Sequence, residues 1–153
     1  MAKATVDTPT GARSLTLKVV VQRPLNLEQA QPLKKALAEG GQQGLLNAIR
    51  GANRGYFDLG GIVYPIDLVV AEPLKDGFEY VVVTGRALRY EESTSGHESL
   101  DYPFSVAVFA APGFGPGEGH IYTKAALSID ADGHVHVDQY GGRPGTLADV
   151  KRR

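Results

Sequence analysis

The sequence predicts an α+β, mainly β fold: a curved antiparallel sheet or small barrel of seven to eight strands, with a one- or two-helix insert after the first strand. Three observations carry this. Apolar residues recur with a period of two through most of the chain beyond Arg54. Nineteen glycines and nine prolines supply the turns such a fold needs. Only residues 26–51 carry a helical period.

At 153 residues and 42% hydrophobic content the chain suits one domain with a real core, read as 13–153. Residues 1–12 are polar and aperiodic, and are expected to be a disordered leader or one foreign to the natural chain. Sixteen basic residues face 17 acidic ones, so no nucleic-acid footprint is present. The absence of cysteine excludes disulfides, thiolate catalysis and cysteine-held metals. No run approaches the roughly 18 apolar residues of a membrane-spanning helix. Nothing in the sequence sets an oligomeric state.

The first predicted strand has Leu15, Leu17, Val19 and Val21 alternating with Thr16, Lys18, Val20 and Gln22. Asn26, with Gln29 three positions on, forms a capping box that opens a helix. Leu27, Ala30, Leu33 and Leu37 share one face of it. Pro32 predicts a kink, or a short first turn and a fresh start. Gly40-Gly41 predicts a left-handed stop, and Leu45, Leu46 and Ile49 a second short helix ending near Gly51. Six strands follow, over 55–59, 62–72, 78–90, 102–111, 118–130 and 134–140. Residues 146–152 read as an eighth strand or a helical turn.

One turn fixes a register and another leaves two open. At Asp130-Ala131-Asp132-Gly133, a three-residue loop ending in a left-handed glycine pairs Ile129 with Val135 and Leu127 with Val137. It also gathers Ser128, Asp130, His134, His136 and Asp138 on the other face. A two-residue loop would mix polar and apolar groups on both faces, so burial of one face selects the longer loop. At Asp76-Gly77, a two-residue loop places Asp67 opposite Arg86, and a three-residue loop places it opposite Gly85; the pattern leaves both open.

The pair Gly40-Gly41 with Leu45, then Thr84-Gly85-Arg86, Ser99-Leu100-Asp101-Tyr102-Pro103-Phe104 and Gly115-Pro116-Gly117-Glu118-Gly119 resemble a group of small bacterial exported β-rich proteins of unknown function. The resemblance covers most of the chain beyond residue 14. It implies a periplasmic or secreted setting and brings no activity or catalytic residue. Residues 1–10 hold one lysine and no apolar stretch of a signal peptide, so a cytoplasmic setting is the alternative.

Candidate chemistry is sparse. His134 and His136, two apart on a strand, point the same way and could hold a metal, but a site needs three or four converging ligands. No metal is therefore expected, with His134 and His136 as the weak alternative. His120 lies at the far end of the preceding strand. Asp67 sits in Val63-Tyr64-Pro65-Ile66-Asp67-Leu68-Val69-Val70, apolar on both faces, where a carboxylate needs a partner. A structural pair with Arg86 is favoured over a ligand-facing one.

Tyr102 is a weak catalytic candidate, more readily a packed aromatic with a satisfied hydroxyl. Residues 112–119 lack the spacing of a phosphate loop and read as a hairpin loop. Ser93-Thr94-Ser95-Gly96-His97 places hydroxyls beside an imidazole, without a nucleophile elbow, in what reads as a surface loop. No cofactor is expected. The favoured function is a non-catalytic exported binding or interaction module for a small apolar ligand or a protein partner. The alternative is a small cofactor-free β-barrel enzyme doing acid–base chemistry with Asp67 and Arg86.

Overall fold

The structure, a computed structural model, describes residues 2–8, 11–59, 61–85, 102–112, 117–139 and 145–150. In chain order the elements are β1 (Ala2–Thr8), β2 (Gly11–Val21), α1 (Leu27–Ala30), α2 (Leu33–Ile49), β3 (Gly55–Leu59), β4 (Ile62–Pro65), β5 (Leu68–Leu74), β6 (Gly77–Thr84), β7 (Phe104–Ala111), β8 (Gly117–Ile129), β9 (Val135–Gln139) and β10 (Gly145–Val150). The fold is mainly β, and every strand pair is antiparallel. The sheet runs β4-β3-β2-β1-β10-β8-β7-β6-β5, with β9 paired to β8 off this path.

Three differences from the sequence reading stand out. Residues 2–8, expected to be an unstructured leader, form β1, which lies between β2 and β10. The strand expected over 62–72 is two: Ile66 N donates to Gly55 O at 3.0 Å on one side, and Asp67 N donates to Val83 O at 2.9 Å on the other. One extended segment thus leaves β3 and joins β6, so the two ends of the sheet are linked through Ile66-Asp67. Among the described residues no ladder pairs β4 with β5, and the sheet does not close as a barrel. Of the two forms expected for the C-terminal segment, the strand is the one formed, β10. Gly117, expected in a loop, begins β8; residues 113–116 lie outside the described residues.

The helical insert follows the predicted punctuation. Asn26 Oδ1 accepts from Gln29 N at 2.8 Å and Gln29 Oε1 accepts from Asn26 N at 3.0 Å, completing the capping box. α1 ends before Pro32, and α2 begins after it. Gly41, at φ 62° and ψ −152°, breaks α2 in two, as a glycine tolerating that conformation would.

Two apolar clusters make the core. Leu17, Phe57, Tyr64, Ile66, Val69, Val82, Ala107, Phe109, Ile121 and Leu147 meet on the inner face, drawn from strands across the whole sheet. On the outer face of β5–β8, Ala30, Leu45, Leu46 and Ile49 of the helices cover Leu68, Val70, Val81, Val83, Phe104, Val106, Ala125 and Leu127. This double burial is why β5 and β6 lack alternation: their polar-facing side is roofed by helix. Each fully buried valine, leucine, isoleucine or phenylalanine among them contributes about 1.5–3 kcal/mol by leaving water.

Candidate functional site

Asp67 is one of only three buried polar side chains among the described residues, with Thr84 and Ser105. Neither expected hairpin register occurs. The β5–β6 turn is Lys75-Asp76, with Leu74 opposite Gly77 and Leu68 opposite Val83; one step further, Asp67 lies level with Thr84. Gly77 sets this. Its φ is +103°, and a Cβ there would stand 2.2 Å from Ala111 O, so it opens β6 instead of closing the turn.

The Asp67 carboxylate accepts from Gly85 N at 2.8 Å and, less closely, from Gly51 N at 3.3 Å. It therefore ties the end of β6 to the residues following α2. Main-chain donors of this kind carry no signature in a sequence, so pattern reasoning looked for a cation instead. Arg86, the expected partner, lies outside the described residues, as do 93–97.

The hairpin of β8 and β9 has the selected register. Ile129 pairs with Val135, Leu127 with Val137 and Ser128 with His136. Gly133 carries φ +91°, and Gly133 N donates to Asp130 O at 3.1 Å, closing the three-residue loop. Val135 and Val137 are half-buried against the helix-side cluster, His136 is exposed, and His134 is half-buried. The tip rests on α1: a Cβ on Gly133 would stand 2.2 Å from Leu27 O, and Gln31 Nε2 donates to Ala131 O at 3.3 Å.

The imidazoles go to different carboxylates. His134 Nδ1 lies 2.9 Å from Glu72 Oε2 on β5, and His136 Nε2 lies 3.1 Å from Asp130 Oδ2. The hydrogen bond with Glu72 holds His134 above the ordinary imidazole range, against desolvation. The hydrogen bond with His136, aided by the amides of His134 and Asp132, holds Asp130 below the ordinary carboxylate range. Tyr102, half-buried, reaches Asp138 Oδ2 through its hydroxyl at a long 3.4 Å. Among the described residues no three or more histidines and carboxylates converge as metal ligands would. His120 is remote from this group and stands beside Tyr122, ring centroids 6.4 Å apart.

Two features escaped the sequence. Gln42 on α2 brackets Leu127: its Nε2 donates to Leu127 O at 2.7 Å, and its Oε1 accepts from Leu127 N at 2.8 Å. The amide serves β8 as a strand would, in the stretch beyond Ala125 where pairing with β7 has ended. The second is an aromatic row. Phe109 is buried and stacks on Tyr80 at 5.6 Å between centroids, and Tyr80 meets Phe78 at 6.1 Å. Phe78 is 37% exposed and Leu74, across the same turn, 41%. Gly119 makes room for Phe109, since a Cβ there would stand 2.7 Å from the Cβ of Phe109.

No family model matches the chain, and no curated protein or solved structure matches it either.

Proposed function

We propose that this chain is a non-catalytic binding or interaction module, working in a periplasmic or secreted setting, that engages an apolar ligand or an apolar segment of a protein partner at the Phe78 end of the sheet. The observation that carries this is the row Phe109–Tyr80–Phe78, which leads from the buried interior to an exposed ring. Aromatic rings bring large apolar area with few rotatable bonds, and partially exposed ones are favoured contact groups. The polar groups point the other way. Asp67 spends both oxygens on main-chain amides, and His134 and His136 each lean on a carboxylate. An acid–base enzyme built on Asp67 and Arg86 would need that carboxylate free to exchange a proton with substrate.

Fluorescence titration with the apolar probe 1-anilinonaphthalene-8-sulfonate tests the reading. Saturable enhancement is expected for the native chain and a loss of at least severalfold in affinity for Phe78→Ser, with the melting temperature held. Equal probe binding by both proteins would remove Phe78 from the binding face.

A further inference from the structure

We infer that Arg23 and Arg54 form a surface site for one oxyanion group, the phosphate or carboxylate of a soluble ligand. The two arginines meet where β2 ends and β3 begins. Gln22 N donates to Arg54 O at 2.7 Å, which sets the residues after β2 beside those before β3. From there the two side chains reach across in opposite directions. Arg23 Nη2 donates to Asn53 O at 2.8 Å and, less closely, to Ala52 O at 3.3 Å. Arg54 Nη1 donates to Arg23 O at 2.6 Å. The backbone is strained at this junction. Among the described residues only Arg23 and Asn53 hold a left-handed φ without being glycine, at 51° and 52°. Asparagine tolerates that region, whereas an arginine there is disfavoured and persists only where its surroundings fix it.

Every partner of the two guanidiniums is a neutral main-chain carbonyl. Carbonyls hold the groups in place and leave both positive charges uncompensated at one junction. Among the described residues no carboxylate pairs with either arginine. Asp67 meets the same loop at Gly51, but its oxygens are spent on the amides of Gly51 and Gly85. An anion from outside the chain supplies the missing charge. Arg54 engages Nη1 alone, so its Nε–Nη2 edge is left for the two parallel bonds that a phosphate or carboxylate accepts. Arg23 engages Nη2 alone and keeps Nε and Nη1. Arg23 is exposed and Arg54 half-buried, so solvent reaches both. Their side-chain freedom is already spent on the carbonyls, which lowers the ordering cost of binding. The site stands apart from the Phe78 surface. Arg54 N donates to Ile66 O at 2.9 Å, and Ile66 adjoins the Thr84 end of β6, whereas Phe78 lies at the other end.

Inorganic phosphate and acetate are the probes, with sodium chloride at equal ionic strength as the reference. In the native chain, saturable shifts of the Arg23 and Arg54 Nε–H signals are expected with phosphate or acetate and not with chloride. The tighter of the two anions names the group recognised. Arg54→Lys keeps the charge and a donor for Arg23 O but loses the fork. It should weaken anion binding at least severalfold, read at Arg23 Nε–H, with the melting temperature held. Native signals that move no further with phosphate and acetate than with chloride overturn the inference, whatever the variant does. So does an Arg54→Lys chain that binds the anion as tightly as the native one.

Discussion

Asp67→Asn keeps one acceptor oxygen and sets an amide NH2 against a second main-chain N–H, so at least one of the bonds from Gly85 and Gly51 is lost. A loss of about 1–3 kcal/mol is expected, read from urea unfolding, as for a buried donor stripped of its acceptor. A variant as stable as the native chain would mean that the carboxylate is held at a cost for some other purpose. Gly85→Ala approaches the same junction from the other side. Its Cβ would stand 2.4 Å from Leu46 Cδ1 and 3.2 Å from Asp67 Oδ2, and overpacking of about 1–3 kcal/mol should follow in the same assay. That Asp67 is buried and needs a partner was legible from eight residues of sequence. The identity of the partners was not, because a backbone N–H belongs to every residue and only the observed register brings Gly85 within reach.

The β8–β9 hairpin is where pH should act. His134 is held above its ordinary pKa of 6.5, so its contribution is full below that value and lost as pH rises through the raised one. Asp130 is held below its ordinary 3.8, so its contribution is full above that value and lost as pH falls through the lowered one. The hairpin is best held between 3.8 and 6.5. Amide exchange at Val135 and Val137, corrected for intrinsic rates, should be slowest there. Glu72→Gln should return the His134 titration toward the ordinary range and flatten the alkaline rise in exchange; an unchanged His134 titration would disprove the contact.

Gln42→Glu keeps the acceptor for Leu127 N but loses the donor to Leu127 O. A cost of about 1–3 kcal/mol is expected at neutral pH, shrinking in acid as the new carboxyl regains a proton to donate. Leu127→Ala would be no substitute test, since it changes packing and leaves these backbone bonds in place. The hairpin register was legible because only one loop length separates Leu127, Ile129, Val135 and Val137 from the polar side chains. Glu72 and Gln42 were not. They lie 62 and 85 residues away from their partners in sequence, and nothing local says that the hairpin lies across α1 and against β5.

At the scale of the whole molecule, the alternation of Leu15 to Val21, the capping box at Asn26 and the glycine break at Gly41 were enough to specify a β-rich domain with a helical insert. The strand count fell short for two physical reasons. β1 is short of apolar residues, and it is held by ladders to β2 and β10 instead of by a hydrophobic pattern of its own. The 62–74 segment stays extended throughout, so its pattern does not reveal that it changes partners at Ile66-Asp67. The same change of partners lets one apolar interior draw on β2 through β8 and β10, filled by Leu17, Phe57, Ile66, Val82, Ile121 and Leu147. With the interior filled and Asp67 committed to the backbone, the exposed aromatic end is left as the surface for recognition. An amide and aromatic NMR titration of the native chain with 1-anilinonaphthalene-8-sulfonate tests this most directly. Shifts gathered at Phe78, Tyr80 and Phe109 are predicted, whereas shifts gathered at Asp67, Gly85 and Gly51 would contradict the account.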